Sequence, residues 1–317
     1  SEANNLALIG TYTAKRRRTG ARVILTAGEH SSTEAAAEYL ASLGADVVRL
    51  STKGGALDMD EAAAALTENT VLVSSMLVNN ETGALYPVAD LFRLAKAKCP
   101  DVICHCDAVQ GFLKVPLSPR TLGADIVTVS AHKIHGPKGM AALYVSPEIL
   151  KRRALVPVIH GGQQENGLRA GTENVIGIAG FGAAAAVGAA HFAADREALK
   201  TLGAYLLDRL AADAPLREIK VNRPASAVPH IISLTLPDIK SETMLHFLSG
   251  KGICVSSGSA CSSHAKKVSR ALSAYGLSDR AADCTIRISL AHTNTADELD
   301  ALCAALGEGL STLIRIR

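Results

Sequence analysis

A lysine between two histidines is the residue best suited to covalent chemistry in this chain. Residues 130–139 read SAHKIHGPKG, and Lys133 follows the β-branched run 125–129, which is typical of a buried strand. Burial at a strand end penalises the ammonium form of a lysine, so that its amine can act as a nucleophile and form a Schiff base. A surface lysine in a polar loop is the alternative at this point.

Further polar side chains follow other strand-like runs. They are Glu29 and His30 after 22–27, Asn79, Asn80 and Glu81 after 70–77, and Asp107 and Gln110 after 102–106. The carboxyl ends of parallel strands meet at one edge of a sheet, where such folds bind ligands. A phosphorylated pyridine cofactor would use this edge, because its ring nitrogen needs a carboxylate, its phenolic oxygen needs donors, and its phosphate needs hydroxyls and a helix start.

Alternating strands and helices would position these residues. Strand-like runs lie at 22–27, 46–50, 70–77, 102–106, 125–130 and 140–145, with helical runs at 32–43, 60–66 and 87–98. This order predicts an α/β domain with a mainly parallel sheet flanked by helices. The second half has helical runs at 173–190, 196–212, 241–250 and 295–315 and strand-like runs at 218–221, 230–235, 253–255 and 285–290, which predicts a smaller α+β domain. We place the large domain at 1–180 and the small domain at 181–317.

Composition excludes several other classes of protein. The 317 residues are 48% hydrophobic and 20% charged with a net charge of +3, and neither this balance nor the 3% of aromatic residues favours a nucleic-acid surface. The apolar segment 175–190 is shorter than the ~20 residues of a membrane span, so we expect an interdomain helix and no membrane contact.

Seven cysteines, an odd count, favour a reducing cytoplasm. In Cys104-His105-Cys106 successive residues of a strand point to opposite faces, so these side chains cannot together ligate one ion, and no metal site is predicted.

Five motifs together resemble the cysteine desulfurases of the NifS/IscS type. They are VNNE at 78–81, HCDAVQ at 105–110, SAHKIHGPKG at 130–139, RAGT at 169–172 and SSGSACSS at 256–263, and they occur in the family's order across the whole chain. The resemblance implies a fold-type I pyridoxal-phosphate enzyme with a sheet of the seven-stranded type, which is usually a homodimer. It further implies conversion of L-cysteine to L-alanine, with the sulfur passed to an acceptor protein for Fe–S clusters, thiolated tRNA or another cofactor.

The resemblance also implies roles for individual residues. Lys133 would form the Schiff base with pyridoxal 5'-phosphate and His30 would stack on its ring. Asp107 would contact the ring nitrogen, and Asn80 and Gln110 the phenolic oxygen. The phosphate would be held by Ser1, Ser130 and His132, with Thr172 reaching across from the partner subunit.

Substrate binding and sulfur transfer are assigned in the same way. Arg287 would bind the substrate carboxylate, with Asn80 nearby, and Cys261 would accept the sulfur. Attack on sulfur needs a thiolate, and a free thiol with a pKa of about 8.5 is mostly protonated at neutral pH, so we expect a histidine near Cys261. His30 is the first candidate for that base and His264 the second.

The chain departs from the family pattern in two places. Ser1 replaces a threonine that normally follows a glycine-rich turn, so we expect an N-terminal portion to be absent, and Ala291-His292 replaces Gly-Arg. Rival interpretations are a selenocysteine lyase or another class V aminotransferase-like enzyme, which would need no Cys261, and a non-catalytic scaffold for sulfur trafficking.

Overall fold

The computed structural model describes residues 1–15, 20–258 and 269–316, which form two compact units. The first unit comprises Ser1–Ser51, Leu57–Val78 and Tyr86–Phe192, and the second comprises Thr52–Ala56, Asn79–Leu85 and Ala193–Arg317. The expected boundary at 180/181 therefore falls before the end of the first unit. Two short early segments also belong to the second unit, and no composition change in the sequence marks them.

A six-stranded sheet forms the centre of the first unit. Its strands are β1 (Arg22–Thr26), β2 (Asp46–Leu50), β3 (Thr70–Met76), β4 (Ile103–Asp107), β5 (Ile126–Ser130) and β6 (Ala141–Val145). They lie in the order β2-β1-β3-β4-β5-β6, with β6 antiparallel to β5 and the other pairs parallel. All residues of β3 and β4 are buried, as expected for strands covered on both faces. The strands agree with the predicted runs, and the sheet has six strands within the described residues where the seven-stranded type was expected.

Seven α-helices accompany this sheet in the described part of the first unit before residue 175. They are α1 (Glu2–Asn5), α2 (Thr11–Lys15), α3 (Ser31–Ser42), α4 (Met59–Ala65), α5 (Val88–Lys98), α6 (Pro119–Leu122) and α7 (Pro147–Lys151), and a π-helical segment, Leu6–Gly10, joins α1 to α2. Leu6 and Leu8 share a hydrophobic cluster with Leu40 of α3 and Val23 of β1. This packing fixes the start of the chain against the sheet and the helix that follows β1.

The next helix, α8 (Val175–Ala212), is 38 residues long. The prediction of two helices, at 173–190 and 196–212, is therefore wrong, because residues 191–195 contain no proline or glycine that would end a helix. The expectation that the apolar segment here, 175–190, is too short to span a membrane is also wrong. Within the described residues it is the one helix long and apolar enough to cross a membrane, with a mean hydropathy of 1.7 over its most apolar window. Helices of soluble proteins can have the same length and composition.

The second unit is built on a four-stranded antiparallel sheet. Its strands β7 (Lys220–Asn222), β8 (Ile231–Thr235), β9 (Ser256–Ser257) and β10 (Thr285–Ser289) lie in the order β7-β8-β10-β9. Its helices are α9 (Ser241–Ser249), α10 (Arg270–Tyr275), α11 (Asp279–Asp283) and α12 (Ala296–Thr312). The predicted strand at 253–255 is wrong: Ile253 and Val255 pack against the hydrophobic core, while the two serines that follow pair with β10.

Candidate active site

Asp107 ends β4 with both carboxylate oxygens bonded. The residue is 5% exposed. Its Oδ2 accepts a hydrogen bond from Asn4 Nδ2 at 2.7 Å, and its Oδ1 accepts one from the Val109 N–H at 3.0 Å. Two donors stabilise the ionised form of a carboxylate and fix its orientation. A carboxylate held in this way can accept a hydrogen bond from a protonated ring nitrogen.

Lys133 follows the neighbouring strand β5. This strand ends at Ser130, and the chain then forms a short 3-10 helix, Ala131–Ile134, which ends at His135 in the left-handed conformation with φ 64°. Lys133 is half-buried in this turn. The hydroxyl of Ser130 lies 2.7 Å from Nδ1 of His132, so these two side chains are held together just before the lysine.

His30 caps the helix that follows β1. Its Nδ1 accepts a hydrogen bond from the Ser32 N–H at 3.2 Å and lies 2.8 Å from Ser32 Oγ. Burial of part of the ring lowers the pKa of His30, Asp107 raises it, and Lys133 lowers it further. The net effect is a lowered pKa, so the ring is neutral at neutral pH and can accept a proton.

Positive charge is concentrated around His132. Partial burial lowers the pKa of this histidine, and the neighbouring positive charges of Lys133 and Lys138 lower it further. Ser1 and His132 line one cavity of about 1050 Å³ together with Ser130. Hydroxyls beside several cationic groups form a favourable site for a phosphate dianion.

This donor set fits pyridoxal phosphate. A half-buried amine and a buried carboxylate held by two donors follow adjacent strands, and the hydroxyls and cationic groups lie in the same unit. Gln110 is half-buried in the turn after Asp107, which is closed by a 2.9 Å bond from the Gly111 N–H to the Ala108 carbonyl. Thr172 is exposed in the first unit.

Arg287 and Asn80 belong to the second unit, where they are in contact. Arg287 lies on β10, and its Nη1 donates to the Asn80 carbonyl at 2.8 Å. Its Nη2 donates to Ser256 Oγ at 3.0 Å and its Nε to Ser289 Oγ at 3.2 Å. A guanidinium has five N–H groups, so these three bonds still allow it to donate to a carboxylate.

Glu81 lies beside the same arginine and has no role in the sequence prediction. Its Oε2 accepts a 2.6 Å hydrogen bond from Ser269 Oγ, and a Cβ placed on Gly258 would lie only 2.9 Å from that oxygen. Burial raises the pKa of Glu81, against the lowering effects of Ser269 and Arg287. Glu81 therefore accepts a hydrogen bond from Ser269 on one side of 259–268 and lies close to Gly258 on the other. Cys261 and His264 belong to that segment and lie outside the described residues.

Sequence reasoning also missed Asn4 and gave no role to Glu29. Asn4 is 2% exposed and contacts Asp107 directly, and Glu29 is 4% exposed. Oε1 of Glu29 accepts hydrogen bonds from the Thr26 hydroxyl and, at 2.6 Å, from the Met76 N–H, while its Oε2 is buried without a partner in the described part of the chain. Burial is the main cause that raises the pKa of Glu29 to about 8. Asn4 is flanked by Ala3 and Asn5, and Glu29 by Gly28 and His30, so no local pattern in the sequence marked either residue as buried.

Comparison with known proteins agrees with this geometry. Residues 1–302 match the family described as "Aminotransferase class-V". A "Cysteine desulfurase" from Trichormus azollae is 36% identical over 97% of this chain and 75% of the relative, and a "Cysteine desulfurase IscS" from Dictyoglomus turgidum is 34% identical over 95% of this chain and 74% of the relative. A solved structure titled "NIFS-LIKE PROTEIN" superposes with a TM-score of 0.87 at 33% identity, covering 98% of this chain and 80% of that one. The chain therefore belongs to the class-V aminotransferase family, among the cysteine desulfurases of the NifS/IscS type.

Proposed function

We propose that this chain is a pyridoxal-phosphate-dependent cysteine desulfurase that converts L-cysteine to L-alanine and receives the sulfur on Cys261. The observation that carries the proposal is the pair of strand ends at β4 and β5. They supply a carboxylate bonded by two donors, Asp107, and a half-buried amine, Lys133, with the hydroxyl of Ser130 between strand and lysine. The similarity to named cysteine desulfurases supports the same reaction.

The cofactor would be held by residues of three kinds. Lys133 would bind it covalently, Asp107 would hold the ring nitrogen, and His30 and Gln110 would contact the ring and its phenolic oxygen. Ser1, Ser130 and His132 would contact the phosphate. When bound, pyridoxal phosphate supplies an electron sink for the charge left when a proton is removed from the substrate α-carbon.

The residues of the chain then move protons and orient the substrate. Arg287 donates paired hydrogen bonds to the carboxylate of L-cysteine, with Asn80 beside it, and so fixes the position of the α-carbon. The amine of Lys133 removes the α-proton as a general base. The carboxylate of Asp107, held by its two donors, would accept a hydrogen bond from the ring nitrogen and so stabilise a proton there.

Sulfur transfer takes place at Cys261. Its thiolate attacks the substrate sulfur, so that an S–S bond forms and the bond between substrate carbon and sulfur breaks. The electron pair of the broken bond stays with the carbon fragment, which takes up protons and leaves as L-alanine. One L-cysteine and one Cys261 thiol thus give one L-alanine and one persulfide, without an external oxidant or reductant.

His30 supports the formation of that thiolate. A neutral imidazole can accept the thiol proton, and the lowered pKa of His30 keeps its ring neutral at neutral pH. His264 remains the second candidate, within 259–268.

The proposal also covers the sulfur acceptor, the second subunit and the cellular compartment of this chain. The persulfide would pass to an acceptor protein that serves Fe–S cluster assembly or tRNA thiolation. We infer a homodimer in which Thr172 reaches the partner's site. Exposed apolar side chains at the start of α8, Val175, Ile176 and Ile178, support this arrangement because a second subunit would remove them from water. The free thiols of the six cysteines in the described residues are consistent with a reducing cytoplasm.

Mass spectrometry of the purified chain tests the proposal. After incubation with pyridoxal phosphate and L-cysteine, the wild-type peptide 252–266 should carry one additional sulfur atom. This peptide contains both Cys254 and Cys261, so fragmentation must locate the sulfur. Cys261→Ser should carry none and should release no L-alanine, because a serine hydroxyl is a far weaker nucleophile towards sulfur.

Cys254→Ser is the matched control. Cys254 is exposed and lies seven residues away, so this variant should retain both the persulfide and alanine release. A persulfide on Cys254, or undiminished alanine release from Cys261→Ser, would contradict the assignment. A chain that binds no pyridoxal phosphate and releases no alanine would instead support the non-catalytic scaffold.

A further inference from the structure

Asn4 connects two residues that are expected to contact the cofactor ring. Its Nδ2 donates to Asp107 Oδ2 at 2.7 Å and to Ser32 Oγ at 2.9 Å, and it also lies 3.3 Å from Thr33 Oγ1. Ser32 Oγ in turn lies 2.8 Å from Nδ1 of His30. A chain of hydrogen bonds thus runs from the carboxylate of Asp107 through Asn4 and Ser32 to the imidazole of His30.

The orientation of the Asn4 amide is determined by its surroundings. Oδ1 of Asn4 is buried and has no partner among the described residues, while Nδ2 has three acceptors. An amide rotated by half a turn would place Oδ1 against the carboxylate of Asp107, where two oxygens would repel each other. Asn4 is therefore held by its donor end, at the expense of one unsatisfied oxygen.

The direction of the bonds determines where His30 carries its proton. A backbone N–H can only donate, so the bond from the Ser32 N–H to Nδ1 requires a lone pair on that nitrogen. Because Nδ1 carries a lone pair, the Ser32 hydroxyl, which accepts from Asn4, is the donor in its 2.8 Å contact with this nitrogen. A neutral imidazole has one N–H, and in His30 it must then be Nε2–H.

We propose that Asn4 is a positioning residue of the active site, which holds the Asp107 carboxylate directly and, through Ser32, selects the Nε2–H tautomer of His30. The consequence for catalysis rests on the proposed function, but the tautomer does not. With Nδ1 accepting from two donors, Nε2–H is the one N–H of the neutral ring and can donate to a reacting group, whereas a proton taken up by the ring would have to enter at Nδ1 in place of one of these donors. One buried amide thereby fixes both the acceptor for the ring nitrogen and the nitrogen of the histidine that carries its proton.

Nitrogen NMR of the cofactor-free protein tests the tautomer. With 15N-labelled histidine, the His30 signals are identified by their loss in His30→Gln. The lowered pKa of His30 keeps the ring neutral slightly above neutral pH, where tautomers can be distinguished. We expect Nε2–H to exceed Nδ1–H by about tenfold or more in the wild type, and this ratio to fall about threefold or more in Asn4→Ala, in line with the loss of one hydrogen bond.

Cofactor binding tests the contact with Asp107. Asn4→Ala should weaken the affinity for pyridoxal phosphate by about tenfold or more, since a hydrogen bond to a charged group is lost. Asn5→Ala is the matched control: it removes the neighbouring asparagine of the same helix, whose Nδ2 donates to the Ser1 carbonyl at 3.0 Å and not to Asp107. This variant should bind the cofactor within about twofold of the wild type.

The outcomes separate this proposal from the proposed function. A wild-type His30 that carries its proton on Nδ1, or an Asn4→Ala variant that binds pyridoxal phosphate as tightly as Asn5→Ala, overturns it. If Asn4→Ala does not fold, Ser32→Ala provides the tautomer test, because it removes the hydroxyl and keeps the backbone donor; a ratio equal to that of the wild type would then overturn the role of the hydroxyl. If no variant binds the cofactor, the proposed function fails while the NMR result still decides the tautomer.

Discussion

At the scale of single residues, Glu29 is a carboxyl group held neutral inside the protein. Its pKa is raised from 4.5 to about 8, chiefly by burial. At a pH between 4.5 and about 8, the Glu29 carboxyl is ionised in the unfolded chain and protonated in the folded chain. Its contribution to stability is therefore greatest below pH 4.5 and decreases as the pH rises through about 8. We predict that Glu29→Gln, which cannot ionise, stabilises the folded state by about 3 kcal/mol near pH 7.

The measurement is urea denaturation of both proteins near pH 7 and near pH 5. The glutamine Oε1 keeps the acceptor for the Thr26 hydroxyl and the Met76 N–H. The difference in unfolding free energy between the two proteins should shrink at the lower pH, because the glutamate of the unfolded chain is less ionised there. An equal difference in unfolding free energy at both pH values would mean that Glu29 is not neutral in the folded chain.

Arg287 provides a prediction about substrate binding. Arg287→Lys should raise KM for L-cysteine about tenfold or more while the midpoint of thermal unfolding changes little, because an ammonium group cannot form the two parallel hydrogen bonds of a guanidinium. Steady-state alanine release and a thermal melt are the two measurements. Loss of the fold with unchanged KM would assign Arg287 a structural role through its bonds to Asn80 and Ser256.

Residues at strand ends could be predicted from the sequence, but their supporting partners could not. Asp107 and Lys133 were found because each follows a strand-like run. Asn4 lies 103 positions from Asp107 and Glu81 lies 188 positions from Ser269, so no local pattern links either pair. Cys261 was identified by its motif and stays a prediction, since it lies outside the described residues.

At the scale of secondary structure, a buried histidine links three adjacent strands. Nδ1 of His105 on β4 lies 2.9 Å from Ser74 Oγ on β3, and its Nε2 lies 3.0 Å from Thr128 Oγ1 on β5. Burial lowers the pKa of His105 to about 4, with Asp107 acting weakly in the opposite direction. Both ring nitrogens are thus engaged by hydroxyls, which stabilises the neutral ring.

This histidine should make the sheet sensitive to acid. Above pH 6.5 it is neutral in both states, whereas between 6.5 and about 4 the unfolded chain binds a proton that the folded chain does not, so stability falls as the pH falls. The loss should total about 3 kcal/mol. His105→Gln should remove this component from the pH dependence measured by urea denaturation, and an unchanged slope would contradict the prediction.

The elements themselves were predicted where the hydrophobic pattern was unambiguous. All six strands of the first unit were found because buried β-branched runs bounded by helices have few alternatives. The continuity of α8 was missed because its composition changes from Ala and Gly to charged residues near residue 195 without any residue that ends a helix. Near β9, the apolar residues Ile253 and Val255 pack against the core, and the residues that pair with β10 are Ser256 and Ser257. Serine is not among the residues enriched in strands, so nothing in the sequence indicated this pairing.

At the scale of the whole molecule, the start of α8 presents apolar side chains to water. Ile176 is 88% exposed, and Val175 and Ile178 lie beside it in the sequence. We predict that Ile176→Glu converts the proposed homodimer to a monomer, because a charge would have to be buried at the interface without a partner. Light scattering coupled to gel filtration measures the mass of each. Ala189→Glu, a matched change at another exposed position of the same helix, should leave the mass unchanged.

The uncovered edge of β6 has a consequence for the behaviour of the chain at high concentration. This strand is the last of its sheet within the described residues, and its sequence AALYV contains no charge, proline or glycine. Natural edge strands usually carry such residues, because an unprotected row of backbone groups can pair with another molecule and seed aggregation. We expect the purified chain to aggregate on mild heating, and Ala142→Lys to delay the rise in turbidity more than Ala35→Lys, which adds the same charge at an exposed position of α3. Equal delay by both variants would point to net charge instead, and this edge would then have no part in the aggregation.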